Sequence, residues 1–250
     1  MPNVITKIPA TIKRAAEVKG ASANDYPPTI PRDEQLRINE IFFSLQGESS
    51  RVGLPTVFVR LTGCPLRCGY CDTEYAFHGG KTRSIDAVIV DVQNYMPNID
   101  GPRTVCVTGG EPLAQKNCLT LLKRLCDGGF SVSLETSGAI DVGEVDARVS
   151  RIMDIKTPGS NEVEKNLWQN LSALNNRDEI KFVITSRADF DWAVVQLRDR
   201  TLNKICPVLF SPSFHDISAV DLAQWVLAAG VRVRMQLQLH KVLWGETKGK

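Results

Sequence analysis

The chain has 250 residues with 30 basic and 28 acidic side chains, and its net charge of +2 is too small to indicate binding to nucleic acid or to an anionic membrane surface. Its hydrophobic fraction of 43% and charged fraction of 23% are ordinary for a globular protein, and no apolar run of about 18 residues indicates a transmembrane helix. The first residues lack the apolar core of a signal peptide, so we expect a cytoplasmic protein.

The N-terminal part of the chain predicts an arm followed by two strands. Residues 1–35 are polar and interrupted by five prolines, which predicts an extended arm before a single domain over residues 36–250. Residues 38–45 alternate and are rich in Ile and Phe, so they predict a strand that ends at the turn Gln46-Gly47-Glu48. Residues 56–61 predict a second strand, which leads into a cysteine-rich loop.

The rest of the chain alternates between strand-like and helix-like segments, and Ser84 is a suitable N-cap for the first helix. Such alternation predicts parallel βαβ units, and about six core strands rather than eight predict an α/β fold, an incomplete TIM-like barrel with reduced helices. Polar motifs follow several strands, at the end where α/β barrels carry their active sites. The predicted strands are 104–108, 131–134, 151–155, 180–185, 207–210 and 231–237, and the predicted helices are 85–95, 114–127, 163–174, 189–199 and 218–229.

Three cysteines of the loop predict a metal centre. Cys64, Cys68 and Cys71 are separated by three and two residues, so a tight loop can direct all three sulfurs to one small cluster. Thiolates select zinc, copper(I) or iron–sulfur centres, but a closed zinc site and an electron-transfer cluster each normally take four ligands. Because no fourth cysteine lies nearby, the set predicts a four-iron, four-sulfur (4Fe-4S) cluster with one iron open for chemistry. A structural metal site is the alternative.

The other four of the seven cysteines lie in strand-like or helix-like segments, and their spacings are not those of metal ligands. We interpret them as buried structural thiols of a reducing compartment rather than as a second cluster. They are Cys106, Cys118, Cys126 and Cys206.

The cysteine spacing, with Tyr70 before the last cysteine, resembles the radical S-adenosylmethionine (SAM) superfamily. The resemblance implies that the methionine part of SAM chelates the open iron. The sequence Gly109-Gly110-Glu111-Pro112 matches the GGEP motif of that superfamily, although by itself it also fits an ordinary glycine turn before a helix. By the resemblance, Gly110 and Glu111 hold the methionine ammonium, and Tyr70 and Asp72 contact SAM from the cysteine loop.

Two later strand ends carry further candidate SAM contacts. Lys156, in Asp154-Ile155-Lys156, is suited to the methionine carboxylate or to ribose, and Glu135 and Ser137 are suited to ribose hydroxyls. Solvated strand ends are the alternative interpretation of both segments.

A set of motifs resembles a narrower family, the 7-carboxy-7-deazaguanine synthases (QueE), over residues 38–245. The N-terminal arm lies outside the resemblance. The chain departs from some members at Ser211-Pro212, where they carry Gln-Pro, so we assign no substrate contact there. The motifs are Leu45-Gln46-Gly47-Glu48, Phe58-Val59-Arg60-Leu61-Thr62-Gly63-Cys64, Cys71-Asp72-Thr73, Thr108-Gly109-Gly110-Glu111-Pro112 and Gln238-Leu239-His240-Lys241.

The resemblance implies a carbon–nitrogen lyase of queuosine or 7-deazapurine biosynthesis. It converts 6-carboxy-5,6,7,8-tetrahydropterin to 7-carboxy-7-deazaguanine by radical ring contraction with release of ammonia. The implied cofactors are the 4Fe-4S cluster, SAM and Mg²⁺, the implied partners are an electron donor such as flavodoxin or ferredoxin, and the implied assembly is a homodimer.

The residues at the first turn and on the second strand fit such a substrate. A pterin edge needs paired donors and acceptors, which Gln46, Glu48 and the Leu45 and Gly47 backbone supply. The substrate carboxylate needs a cation, and Arg60 offers a bidentate fork four residues before Cys64.

Three more residues are candidates by the resemblance. Thr108 adjoins the GGEP motif and is expected to contact the pterin. Thr73 is expected to bind Mg²⁺, because a hydroxyl is a hard oxygen ligand, although a loop N-cap is its plainer interpretation. His240 is expected to orient a C-terminal lid, and a structural histidine is the alternative.

Two other functions remain open from the sequence. A glycyl-radical-enzyme activase shares the small barrel and the cysteine loop, but its protein substrate does not need Arg60 or the Gln46-Gly47-Glu48 turn. An iron–sulfur carrier or electron-transfer module would explain the cysteines but not the GGEP motif.

Overall fold

The computed structural model describes residues 34–95, 101, 103–245, 247 and 249. Of the expected N-terminal arm, residues 1–33 lie outside the described residues, and Gln35 already belongs to the first strand. Within the described ranges, none of the helices is long and apolar enough to cross a membrane.

Nine strands of the described residues form one sheet in the spatial order β3-β1-β2-β4-β5-β6-β7-β8-β9. Strand β2 and strands β4 to β9 run parallel, whereas β1 and β3 are antiparallel to their neighbours. The sheet does not close, so the prediction of an incomplete barrel with about six parallel core strands is confirmed. The strands are β1 (Gln35–Leu45), β2 (Pro55–Leu61), β3 (Lys81–Ser84), β4 (Thr104–Gly109), β5 (Ser131–Thr136), β6 (Ser150–Asp154), β7 (Glu179–Ile184), β8 (Val208–Pro212) and β9 (Arg234–Met235).

Helices follow several strands and cover the outer face of the sheet. Ser84 caps the first one as predicted, because its hydroxyl accepts a hydrogen bond from the backbone N of Ala87 at 3.1 Å. Ser186 and Ser218 cap the third and fourth helices in the same way. The helices are α1 (Ile85–Tyr95), α2 (Cys118–Asp127), α3 (Arg187–Asp199), α4 (Ala219–Ala229) and α5 (Leu239–Trp244).

The predicted helix over residues 163–174 is wrong, since that stretch forms two short 3₁₀ segments, Val163–Lys165 and Trp168–Ala173. Side-chain amides hold the stretch to distant backbone instead. Asn166 exchanges hydrogen bonds with the backbone of Lys156, and Asn170 donates to the carbonyls of Gly138 and Ile140. These tertiary contacts outweigh the helical pattern of the sequence.

Several other elements differ from the prediction. The helix expected from residue 114 begins at Cys118, after a 3₁₀ turn over Pro112–Ala114. The strand expected over residues 231–237 is reduced to β9; the next residue, Gln236, still donates from its backbone N to the carbonyl of Phe210 at 3.0 Å, and its side chain accepts from Ser49 N at 2.9 Å. Strand β3 was not predicted; it pairs with the beginning of β1.

The two faces of the parallel strands differ in chemistry. On the outer face, apolar side chains pack under the helices, and Phe210 meets Phe182 and Phe190 edge to face at centroid distances of 5.4 and 5.8 Å. On the inner face, the alternate positions carry polar side chains, including Arg60 opposite Thr108 in the register. The polar face therefore lines the interior of the barrel.

Candidate active site

A cavity of about 670 Å³ occupies the interior of the open barrel. Five strands contribute one polar side chain each to its wall, and we call these five residues the polar layer. The register pairs Arg60 with Thr108 and Asp154 with Lys181, whereas Glu135 lies opposite Ile152, two residues before Asp154. The polar layer consists of Arg60 on β2, Thr108 on β4, Glu135 on β5, Asp154 on β6 and Lys181 on β7.

Two segments border the cavity from opposite edges of the sheet: the cysteine loop and the turn after β1. The cysteine loop leaves β2 at the carboxyl edge of the parallel strands. The turn Gln46-Gly47-Glu48 follows antiparallel β1, whose last residue, Leu45, lies opposite Pro55 at the start of β2. We call the region of Cys64–Asp72 the cluster end and the region of Leu45–Glu48 the turn end. Arg60 and Thr108 are assigned to the turn end, because Gln46 of the turn donates to Glu135, the hydrogen-bond partner of Thr108.

The three predicted cluster ligands all line the cluster end. Cys64, Cys68 and Cys71 are half-buried, and Cys71 N donates to the carbonyl of Cys68 at 3.1 Å. In the part of the chain that the structure describes, no group of three His, Cys, Asp or Glu side chains converges on a position for a single metal ion. Cysteine thiolates are the ligands of iron–sulfur clusters, so the chemistry of these three side chains fits the predicted cluster.

Burial gives these thiols a strong preference for the protonated form unless a cation is present. It raises the pKa of Cys68 to about 11 and also raises the pKa values of Cys64 and Cys71. Metal binding releases such protons, so the charge of a bound cluster compensates for the burial of three thiolates.

Two buried polar atoms at the cluster end are suited to hydrogen bonding with a ligand. Tyr70 Oη and Asp154 Oδ1 have no hydrogen-bond partner among the described residues. Lys156 Nζ donates to the other carboxylate oxygen of Asp154 at 3.0 Å and lies 5.7 Å from the centroid of the Tyr70 ring. Since an unsatisfied buried polar group costs about 1–3 kcal/mol, these atoms fit contact with a polar cofactor such as SAM.

The GGEP segment packs directly against the cysteine loop. A Cβ at Gly110 would collide with the carbonyl oxygen of Gly63, so a glycine is required for this approach. Glu111 does not line the cavity, because its buried carboxylate accepts hydrogen bonds from Leu113 N at 3.0 Å and from Ser137 N at 2.7 Å. The structure thus places Gly110 and Ser137 on the cavity wall and Glu111 behind it.

At the turn end, side-chain hydrogen bonds hold the turn against the polar layer. Gln46 Nε2 donates to Glu135 Oε1 at 3.3 Å, and Thr108 Oγ1 donates to Glu135 Oε2 at 2.9 Å. Gln46 Oε1 also accepts from the backbone N of Glu48 at 3.1 Å. Leu45 and Gly47 line the same part of the cavity.

Glu48 is buried and fully engaged at the turn end. Its carboxylate forms an ion pair with Lys181 at 2.7 Å and accepts from Gln238 Nε2 at 2.8 Å. Burial raises the pKa of Glu48, but Lys181, Gln238 and the charge of His240 lower it further, so the net pKa lies below its usual value. Glu48 is therefore an anion inside the barrel.

Arg60 is a largely buried cation whose terminal nitrogens remain available. Its Nε donates to Glu40 Oε1 at 2.8 Å, and Tyr75 Oη donates to the same oxygen at 2.8 Å. The Arg60 guanidinium lies 5.7 Å from the centroid of Phe42, which stacks on Phe58 at 4.9 Å. Its two terminal nitrogens have no hydrogen-bond partner among the described residues, so they can bind an anion in the cavity.

The loop after Cys71 connects the two ends. Asp72 Oδ1 accepts from Thr73 Oγ1 at 2.8 Å, and Asp72 Oδ2 forms an ion pair with Lys241 at 2.8 Å. Burial raises the pKa of Asp72, but Lys241 and Thr73 lower it far more, so the net pKa lies well below the usual range. Thr73 lines the cavity beside an acidic oxygen.

The C-terminal segment, residues 236–241, closes against the turn end. Leu239 N donates to the carbonyl of Gly47 at 2.9 Å, and His240 packs so tightly on Gly47 that a Cβ there would collide with His240 Nδ1. Gln238 also donates to Asp72 at 3.4 Å. His240 therefore packs against the turn, and its expected role in orienting a lid stays a prediction.

Sequence reasoning assigned no role to four residues of the site: Glu40, Lys181, Gln238 and Lys241. A signal for Lys181 was present, because a lysine between the apolar residues Ile180 and Phe182 occupies one face of the strand by alternation. Gln238 and Lys241 belong to one of the motifs noted in the sequence, but their partners Glu48 and Asp72 are far away in the sequence.

Comparison with known proteins places these observations in a family. Residues 58–156 match the family model described as the radical SAM superfamily. A 7-carboxy-7-deazaguanine synthase of Koribacter versatilis is 43% identical over 229 residues, which cover 86% of this chain and 100% of that protein. The 7-carboxy-7-deazaguanine synthase of Chlorobaculum tepidum is 45% identical over 212 residues, covering 84% of this chain and 94% of that one.

A solved structure shares the same fold. The crystal structure of QueE from Escherichia coli matches with a TM-score of 0.66 and 28% identity, over 82% of this chain and 95% of that chain. Both 7-carboxy-7-deazaguanine synthases exceed 40% identity over nearly their whole length. The chain therefore belongs to the 7-carboxy-7-deazaguanine synthase family of radical SAM enzymes.

Proposed function

We propose that the protein converts 6-carboxy-5,6,7,8-tetrahydropterin to 7-carboxy-7-deazaguanine and ammonia. One observation carries the proposal: a single cavity joins three half-buried cysteines at one end to a free arginine fork and a buried carboxylate at the other. The names of the relatives support this product over the activase function. A protein substrate would also have no use for a buried Arg60 that faces the barrel interior.

The turn end is proposed to bind the substrate. The pterin edge has adjacent N–H donors, and the Glu48 carboxylate is an acceptor suited to them, with Gln46 and the Leu45 and Gly47 backbone completing the pattern. The terminal nitrogens of Arg60 are suited to the substrate carboxylate, because a guanidinium binds carboxylates bidentately. Thr108, between these groups, is proposed to contact the ring.

The cluster end is proposed to bind the cofactors through Cys64, Cys68 and Cys71. When bound, the cluster and SAM supply one-electron chemistry and hydrogen-atom abstraction at C6 of the substrate. The chain would hold the two ligands in one cavity, next to each other. The proposed SAM contacts are Tyr70, Asp72, Gly110, Glu135, Ser137, Asp154 and Lys156. Glu111, expected from the sequence to hold the methionine ammonium, is instead proposed to fix Ser137 from behind the cavity wall.

Magnesium is proposed to bind at Thr73. Its hydroxyl lies 2.8 Å from Asp72 Oδ1, and hydroxyl and carboxylate oxygens are hard ligands of the kind that Mg²⁺ prefers. There the ion would neutralise charge on the substrate carboxylate.

We also propose that the protein is a cytoplasmic homodimer. Its proposed electron donor is flavodoxin or ferredoxin. The open sheet ends in two short edge strands, β3 with four residues and β9 with two, and such edges need cover. Light scattering at working concentration should give twice the mass of the chain, and a monomeric mass would contradict the dimer.

The proposed activity is tested by anaerobic turnover. The cluster-loaded protein, a reductant, SAM and 6-carboxytetrahydropterin should yield a product with the mass of 7-carboxy-7-deazaguanine. An activase would leave the pterin unchanged and form a radical on a partner protein, which would overturn the proposal.

A further inference from the structure

Lys181 is a buried cation that the proposed function does not yet use. It lies in the middle of β7, between Ile180 and Phe182, which are buried in the apolar core under the helices. Because side chains alternate along a strand, Lys181 faces the opposite way, into the cavity. A cation at that position needs anionic partners, and the structure supplies two.

The contacts of Lys181 connect the polar layer to the turn end. Its Nζ forms ion pairs with Glu48 Oε2 at 2.7 Å and with Asp154 Oδ2 at 3.8 Å. Glu135 adds a longer-range attraction to the same ammonium group. The charged groups that face Glu48 are Lys181, which lies on β7, and His240, which lies on α5. Glu48 comes from a loop, whereas Lys181 is fixed in a central strand, so the strand determines where the loop carboxylate points.

We infer that Lys181 is a positioning residue for pterin binding. It keeps the Glu48 carboxylate charged and oriented toward the edge of the substrate. This inference rests on the proposed function. Without Lys181, Glu48 would be a buried carboxyl with no cation within ion-pair distance, and burial would then favour its neutral form. A protonated carboxyl presents a donor where the pterin N–H groups need an acceptor, so binding would weaken.

The test is the affinity for carboxypterin as a function of pH, measured anaerobically by equilibrium dialysis on cluster-loaded protein. In Lys181→Met, we expect the Kd relative to wild type to rise at least about tenfold near pH 6 and to fall back at higher pH as Glu48 ionises. The Kd for SAM should change less than about threefold, because Lys156 still pairs with Asp154.

Two further variants separate positioning from a general structural effect. Lys181→Arg keeps the charge and should retain the pH profile of wild type. The double variant Glu48→Gln with Lys181→Met lacks the Glu48 carboxyl but keeps Asp154 and Glu135, so its weakened binding should not vary with pH relative to wild type if Glu48 carries the pH dependence. Lys181→Gln replaces Lys181→Met if the latter does not fold.

Two results would overturn the inference. A pH-independent Kd ratio in both Lys181→Met and Lys181→Gln would mean that Lys181 contributes only packing or local stability. Persistence of the pH dependence in the double variant would assign the titration to another group, such as His240. Failure of wild type to bind carboxypterin would instead overturn the proposed function.

Discussion

The two ends of the cavity differ in how far the protein alone completes them. At the turn end, Glu48 is paired with Lys181, and Arg60 is held by Glu40 through its inner nitrogen. At the cluster end, Tyr70 Oη and Asp154 Oδ1 have no hydrogen-bond partner in the described part of the chain. The difference teaches that the protein alone fixes the carboxylate of the turn end, whereas the buried polar atoms of the cluster end depend on a ligand for their hydrogen bonds.

This comparison makes separable predictions. Changes at the cluster end should remove metal or SAM binding, and changes at the turn end should remove pterin binding while the cluster stays intact. The four variants below test this from the largest expected effect to the smallest.

The largest effect is expected for Cys68→Ala, because two thiolates cannot hold a cluster that depends on three. We expect loss of iron, of the brown colour and of activity, measured by iron analysis and absorbance after anaerobic reconstitution. Cys106→Ala is the matched control, since Cys106 is buried in β4 and does not line the cavity. If Cys106 proved necessary for iron, the ligand set would be wrong.

Arg60→Ala tests the turn end. Loss of a charge-assisted pair in a desolvated site costs on the order of 2–5 kcal/mol, so carboxypterin binding should weaken at least tenfold. Iron content should not change, because no cluster ligand contacts the guanidinium. Arg187→Ala, an exposed arginine on α3, is the control and should bind both ligands normally. Normal turnover of carboxypterin by Arg60→Ala would show that the pocket is placed wrongly.

Gly47→Ala tests the contact between the turn and the C-terminal segment. The new Cβ would collide with His240 Nδ1 and lie 3.1 Å from His240 N, and such overpacking costs about 1–3 kcal/mol. We expect a severalfold weaker affinity for carboxypterin and faster limited proteolysis of the chain after residue 236. Gly143→Ala, in an exposed loop, should change neither measurement. An unchanged proteolysis rate would show that the contact does not hold the segment.

Thr73→Ala should have the smallest effect. Removal of the hydroxyl should reduce the stimulation of turnover by Mg²⁺ while the cluster stays brown, since cysteine sulfurs alone hold the iron. Thr73→Ser restores a hydroxyl and should restore the stimulation. Equal Mg²⁺ dependence in wild type and Thr73→Ala would remove Thr73 as the ligand.

The parts of the site that lie in compact motifs could be predicted from the sequence. The cysteine ligands, Arg60 and the Gln46-Gly47-Glu48 turn belong to compact motifs, and the structure brings them all to one cavity. The alternation of apolar segments predicted the parallel strands, because each strand buries one face under helices.

The missed features depend on contacts between distant parts of the chain. Glu48 meets Lys181 across 133 positions and Gln238 across 190. No local pattern encodes such pairs. The helix predicted over residues 163–174 failed for the same reason, because Asn166 and Asn170 bind backbone outside that segment.

The central claim, that the two ends bind different ligands independently, is tested by measuring two dissociation constants on three proteins. SAM and carboxypterin are titrated separately into cluster-loaded wild type, Arg60→Ala and Lys156→Met. The account predicts that Arg60→Ala loses at least tenfold in carboxypterin affinity and that Lys156→Met loses at least tenfold in SAM affinity, with the other ligand changed less than about threefold in each case. If both variants weakened both ligands equally, the division of the cavity into a cofactor end and a substrate end would be contradicted.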